Sequence, residues 1–252
     1  RPYDQLMASV AYPRRKVRLM GFLPGITTPG GIAHQAIEDI SVMRTIPNMT
    51  VLEAGDATEV ESIVAEADTV DGPVYCRILR GSVPRLFSEP LKIGRMRVLS
   101  EGDDVLVVTA GITSEEAIRA RGALARAGVS VRHLHLNTLK PFDAAQIVDH
   151  AASVRHGVIT LENHLVAGGI GSMVAEALAE AGLPRRLIRL GLQDTYAHGG
   201  SRPYLMTHYG MDALSLVRAV ERLTGQTTGI DEAALGAVRI DAVHSLVKAE
   251  AL

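Results

Sequence analysis

The sequence is poor in cysteine, with Cys76 alone among 252 residues. One cysteine excludes an internal disulfide framework, and a lone thiol suits a reducing compartment, so a cytoplasmic location is expected. Surplus charge is missing too. Lys and Arg number 26 against 28 Asp and Glu, a formal net charge of −2, which leaves no basic footprint for nucleic acid. No apolar run approaches the roughly 18 residues of a membrane-crossing helix, and no secretory leader is read at the start. No internal repeat is visible. What remains is an ordinary globular composition, 47% hydrophobic and 21% charged, long enough for one large domain or two modest ones.

Short apolar runs punctuate the chain. KVRLMGF (16–22), MTVLEAG (49–55), PVYCRIL (73–79), DVLVVTAG (104–111), VSVRHLHL (129–136), GVITLE (157–162) and RRLIRLG (185–191) are rich in Val, Ile and Leu. Gly, Pro or Asp bound them, as they bound buried strands. Helical patterns lie between them, at 58–71, 114–127, 141–152 and 171–181. The first carries Val60, Ile63, Val64 and Ala67 on one face. The second opens with Ser114, Glu115 and Glu116, which suit a helix N-terminus, and stops at Gly128.

This alternation predicts an α/β fold of two three-layer domains, their mostly parallel sheets flanked by helices. The stretch 81–101 breaks the rhythm with Pro84 and Pro90 and no helical stripe, so an interdomain crossing is expected there. The domains are then 1–88 and 89–225. The first is expected to be N-terminally incomplete, because the chain starts at Arg1 and RPYDQLMASVAY already reads as a helix leading to a strand. A helical tail is expected over 226–252. There Leu235, Val238, Ile240, Val243, Leu246 and Val247 approximate a stripe.

The most informative stretch is GITTPGGIAHQAIEDISVMRTIPNMTVLEAGDATEV (25–60). Its first part is a Gly- and Pro-rich loop after a strand. Gly30 and Gly31 let backbone approach a ligand or another chain closely. His34 and Gln35 are expected at the entrance of a helix. Loops at the C-terminal edge of a parallel sheet are where α/β proteins place ligands.

This segment resembles the pyrimidine-binding domain of the transketolase family. A Gly-rich loop is followed there by His-Gln, Glu-Asp, an arginine and Ile-Pro-Asn. Here these are Gly30 and Gly31, His34 and Gln35, Glu38 and Asp39, Arg44, and Ile46, Pro47 and Asn48. The likeness runs back to RPYDQ (1–5) and SVAYP (9–13), and forward to RILRG (77–81). LENH (161–164), GGIGS (168–172), GLQD (191–194) and YGMD (209–212) extend it through the second domain.

The resemblance implies a pyrimidine-binding domain followed by the transketolase C-terminal domain. It implies thiamine-diphosphate-dependent transfer of a two-carbon ketol unit between sugar-like substrates, sugars or sugar phosphates. His34 matches the family histidine that faces substrate oxygens near the reacting carbon, the catalytic candidate. Arg80 matches an arginine that binds a terminal phosphate, and Gly30 and Gly31 line the substrate side. Arg1 and Gln35 are the cofactor-binding candidates. No Gly-Asp-Gly signature occurs, so no metal ligand is assigned, and magnesium is expected on a domain or subunit outside this chain. The family glutamate that activates the cofactor lies upstream of the RPYDQ match. This chain alone is therefore expected to be inactive, and a homodimer or a heterotetramer with an N-terminal transketolase subunit is expected.

Two departures bear on substrate. Many members have an acidic residue where Gly30 stands, and a basic residue where Leu23 or Phe22 stands. Ordinary pentose-phosphate specificity is therefore not expected. Competing readings are a deoxyxylulose-phosphate-synthase-like subunit, another thiamine-diphosphate enzyme subunit, and a non-catalytic interaction module that retains the fold. Other residues carry weaker readings. Arg77 is a second phosphate candidate. Glu162 and His164, beside a Gly-rich turn, are read as fixing a loop or a dimer contact. His198, Gly199 and Gly200 read as a turn, and His208 and Tyr209 as the start of the last amphipathic helix.

Overall fold

The structure, a computed structural model, describes residues 2–79, 83–236 and 242–243. A short helix α1 (Tyr3–Gln5) runs into a π-helical turn, Leu6–Ala11. There follow β1 (Arg18–Phe22), α2 (Asp39–Thr45), β2 (Thr50–Glu53), α3 (Ala57–Asp68), β3 (Val74–Ile78) and β4 (Val83–Pro84). The chain continues through β5 (Arg97–Ser100), β6 (Val105–Ala110), α4 (Thr113–Arg126), β7 (Val131–Leu136), β8 (Thr138–Lys140) and α5 (Ala144–Ala152). It ends in β9 (Gly157–Leu165), α6 (Ile170–Glu180), β10 (Leu187–Leu192), α7 (Arg202–His208), α8 (Ala213–Thr224), α9 (Glu232–Gly236) and β11 (Ala242–Val243). Among the described residues, no helix is long and apolar enough to cross a membrane.

All seven expected strands form. With β5 and β8 they build two sheets, ordered β1-β3-β2-β8 and β10-β9-β6-β7-β5. β1, β3 and β2 pair in parallel, as do β10, β9, β6 and β7. Helices flank both sheets, so the α/β class is as expected. The central strand β6 shows why: every residue of VLVVTA is buried, the continuous apolar run of a strand covered on both faces.

Three features go beyond the sequence reading. The stretch 81–101, expected as an interdomain crossing, holds two short strands, β4 and β5. β5 adds an antiparallel edge to the second sheet, with Arg97 opposite His135. β8, far along the chain, pairs antiparallel with β2 and completes the first sheet. The two sheets also share their apolar packing. One buried cluster joins Ile26, Ile37 and Leu79 to Val105, Leu161 and Leu216. A second joins Ile40 and Val51 to Leu106, Val108 and Val174.

Helix ends follow local chemistry. Asp56 caps α3 by accepting the Glu59 N–H at 2.8 Å, and Glu59 reaches back to the Gly55 N–H at 2.9 Å, a reciprocal capping arrangement. Ser114 does not cap α4. The helix starts one residue earlier, and the Ser114 hydroxyl is buried against Thr109 and His135 instead, at 2.7 and 2.6 Å. His208 ends α7 rather than starting a helix; the last long helix begins at Ala213, capped by Asp212. Of the expected tail helix, the structure describes residues 226–236, helical only at Glu232–Gly236, and the short strand Ala242–Val243, which pairs with β4. Val238, Ile240, Leu246 and Val247 lie outside the described residues.

Candidate functional site

The candidate loop, 23–36, leaves the C-terminal end of β1. Its base is closed by backbone. The Gly25 N–H donates to Ala36 O at 2.7 Å, and Pro24 and Ala36 form a parallel bridge. Asn163, on β9 of the other sheet, holds the same turn with its side chain. Its Oδ1 accepts the Ile26 N–H and its Nδ2 donates to Pro24 O, both at 2.9 Å. Gly25, at φ +59°, presses against this amide with no room for a Cβ.

At the tip, Gln35 Nε2 donates to Thr28 O at 3.2 Å and to His198 O at 3.4 Å. His198 is held in turn by Tyr209, whose hydroxyl accepts the His198 N–H at 3.1 Å and pairs with Nδ1 at 2.8 Å. Gly199 packs so closely that a Cβ on it would sit 2.7 Å from Pro29 O. Gly31 adopts φ +72°, ψ −168°, a region open essentially to glycine alone.

The structure brings four of the six candidate residues together. Gly30, Gly31, His34 and Gln35 share this tip. His34 is exposed and ends a 3-10 turn, Ile32–His34. It does not enter a helix: Gln35 is extended, and α2 begins only at Asp39. Gln35 is buried, its Nε2 engaged and its Oε1 without a partner. Arg1 and Arg80 lie outside the described residues.

Arg77 is corrected. It is fully buried and cannot reach a substrate phosphate. Its Nε donates to Asp39 at 2.8 Å and its Nη1 to Glu53 at 2.6 Å. Its Nη2 serves Asn163 O at 2.9 Å and Ala36 O at 3.2 Å. The two carboxylates outweigh burial and hold Arg77 charged, its pKa raised. Burial would lift Asp39, but Arg77 and the Tyr75 hydroxyl hold it below the usual carboxylate range. For Glu53 burial wins over Arg77, and its pKa rises. This hub therefore fixes the loop base from beneath.

Glu162 fixes a second loop, as one sequence reading had it. Its oxygens accept the Ile170 and Gly171 N–H groups at 2.7 and 3.0 Å, at the N-terminus of α6. Burial still pushes its carboxyl up to about 8. Burial and Arg77 push the neighbouring His164 down to about 4, so it is neutral. Its Nδ1 donates to Leu165 O at 2.7 Å. Among the described residues no group of three His, Cys, Asp or Glu side chains is arranged to hold a metal ion. EGDD (101–104) is spent locally, with Asp104 accepting the Ser130 N–H and pairing with Arg155.

Sequence reasoning missed Asn163 as a loop clamp, and His198 and Tyr209 as its tip support. Only the LENH match hinted at the first, and nothing in the local pattern tied either to a loop more than 130 residues away.

Comparison with known proteins matches residues 1–85 to the pyrimidine binding domain of transketolase and residues 94–216 to its C-terminal domain. The 6-deoxy-6-sulfo-D-fructose transketolase subunit SqwH of a Clostridium strain is 38% identical, over 88% of this chain and 69% of its own length. The transketolase family protein y4mN of Sinorhizobium fredii is 34% identical, over 88% of this chain and 65% of its own. The chain thus spans about two thirds of the length of the curated relatives it matches. Among solved structures, an inactive beta4 tetramer of a split gene transketolase superposes with a TM-score of 0.80. It is 35% identical and covers 88% of this chain, which in turn spans 72% of it. Both of its domains, its fold and these relatives agree, and the chain belongs to the transketolase family.

Proposed function

We propose that the chain is the C-terminal part of a thiamine-diphosphate-dependent transketolase-type transferase, moving a two-carbon ketol unit between sugar-like substrates. One observation carries this reading. An exposed imidazole, His34, stands on a loop that is fastened at base and tip, at the C-terminal end of a parallel strand. That is a pre-organised position for a group that must meet substrate in one orientation.

The loop's residues fit one side of the cofactor. Gly30 presents exposed bare backbone, Gly31 is buried against Gly199, and the buried Gln35 Oε1 is an acceptor without a partner. They suit a polar heterocycle, not a diphosphate with its metal, for which the described residues offer no ligand cluster. Bound thiamine diphosphate supplies carbanion stabilisation. Within this chain, His34 hydrogen-bonds substrate oxygens beside the reacting carbon and moves a proton there. Gly31 and Gln35 keep the loop in the shape that aims it. Arg80 pairs with a substrate phosphate, an assignment that rests on its match to the family alone.

The chain works in an assembly with an N-terminal half that holds the diphosphate and magnesium, as homodimer or heterotetramer. Support comes from relatives described as a subunit and as a split gene tetramer. Gly30 and the apolar Phe22 and Leu23 favour donors that are unusual or less phosphorylated than pentose phosphates. The test is reconstitution. The purified chain is mixed with an N-terminal transketolase half, thiamine diphosphate and magnesium, and ketol transfer is followed. Transfer is expected only in the complete mixture. Full turnover by the chain without a partner, or none in any reconstituted mixture, overturns the proposal.

A further inference from the structure

Asn163 sits on β9, in the sheet that does not carry the candidate loop, and is buried with 2% of its surface exposed. Its amide faces the Pro24-Gly25-Ile26 turn like a short strand. The oxygen accepts from one backbone position and the nitrogen donates two positions earlier, both at 2.9 Å. Its own carbonyl accepts from Arg77, whose same nitrogen also reaches Ala36 O at the far end of the loop. Both ends of the segment bearing Gly30, Gly31 and His34 therefore meet at this one residue and its guanidinium neighbour.

We infer that Asn163 is a positioning residue: it fixes the register of the His34 loop and thereby sets turnover. The inference rests on the reading of that loop as the active one. The geometry demands an amide. Aspartate keeps the acceptor for Ile26 N–H but turns a second oxygen toward Pro24 O, where two acceptors repel. Leucine fills the space and supplies neither bond. A buried Ile26 N–H and Pro24 carbonyl would then lose their partners, which is costly because water cannot replace them.

The test reads loop order apart from activity. Hydrogen–deuterium exchange is measured on the isolated wild-type chain and on Asn163→Leu and Asn163→Asp. The Leu variant should raise exchange within 24–36 by at least about tenfold, the equivalent of roughly 1.4 kcal/mol. Exchange in β6 and β7 should stay as in wild type. The Asp variant should behave likewise at neutral pH. It should regain protection, relative to wild type at each pH, as the pH is lowered and the buried acid gains an O–H to donate to Pro24 O. In the reconstituted assembly both variants should lower kcat about tenfold or more, with less than a threefold change in KM. Unchanged exchange in 24–36, or a general rise across β6 and β7, overturns the positioning role. Exchange that rises as expected with kcat unaltered shows instead that this loop does not govern turnover, and removes the His34 reading with it.

Discussion

Replacing Arg77 with methionine should be among the most damaging single changes this chain can carry. The methionine keeps much of the volume, so packing is not the main loss. Among the described residues the guanidinium is the one cation ion-paired with Asp39 and Glu53, and it also serves the carbonyls of Ala36 and Asn163. Removing one partner of a buried ion pair typically costs about 3–5 kcal/mol, because the other charge stays buried. Two carboxyls are stranded here, and protonation relieves part of the cost, so about 4 kcal/mol is expected at pH 7. In a chain of this size 1 kcal/mol shifts the melting temperature by roughly 2–4 °C. The variant should therefore melt about 8–16 °C below wild type in calorimetry. The loss should shrink on acidification. Without Arg77, both carboxyls titrate above their unfolded values, so stability present at low pH is lost as the pH rises. Adding Glu53→Gln to the variant should restore roughly 1–3 kcal/mol, a coupling visible in a double-mutant cycle. A melting shift under about 3 °C with no pH dependence would refute this account of the hub. If KM for phosphorylated substrates rose meanwhile, Arg77 would return as a phosphate ligand.

Acid stability should depend on Glu59. Burial would raise its pKa, but His135, Arg97 and the Gly55 N–H hold it near 2. A depressed pKa gives stability that is present above about 4.5 and lost as pH falls toward 2, about 3 kcal/mol in all. Glu59→Gln should flatten that limb of a melting-temperature profile, and an unchanged slope would count against it. Glu162 acts with the opposite sign. Its raised value near 8 gives stability that is complete below about 4.5 and lost as pH climbs through 8, so Glu162→Gln should lose less between pH 5 and 8 than wild type does. In the reconstituted enzyme, His34→Ala should lower kcat more than it raises KM. Arg80→Ala should raise KM for phosphorylated donors and spare unphosphorylated ones; an equal effect on both donor types removes the phosphate assignment.

The strands were legible because burial on two faces imposes continuous apolar runs, as in VLVVTA of β6. The three-residue β8 was not, since Thr138–Lys140 is a strand only because β2 offers it an edge. β5 was hidden for a related reason. It is a half-exposed edge strand of only four residues, and Arg97 is spent on Glu59 rather than on solvent. The loop tip was legible through ordered motifs, but its fastening was not. Asn163 and His198 act through side-chain amide and backbone carbonyl groups brought in by β9 and by the loop between β10 and α7, and local spacing carries no trace of them. Arg77 was misread because a basic residue near a strand end usually reaches water. Only the fold places Asp39 and Glu53 around it.

The two glycines of the tip answer to different constraints, and this changes what the Gly30 departure means. Gly31 is a backbone requirement, because φ +72° with ψ −168° excludes a side chain. Gly30 carries no such strain. A Cβ placed there would instead lie 2.6 Å from Cδ2 and 3.1 Å from Cγ of His34. The obstacle is the imidazole itself. An acidic residue at position 30 would thus require the His34 ring to turn elsewhere, so the missing carboxylate and the present histidine position form one arrangement. Under the proposed role of His34, a carboxylate at position 30 and the present position of the imidazole compete for the same space. Restoring an aspartate at position 30 therefore does not simply add a hydroxyl ligand to an otherwise unchanged site. It displaces the His34 ring from the position it holds here.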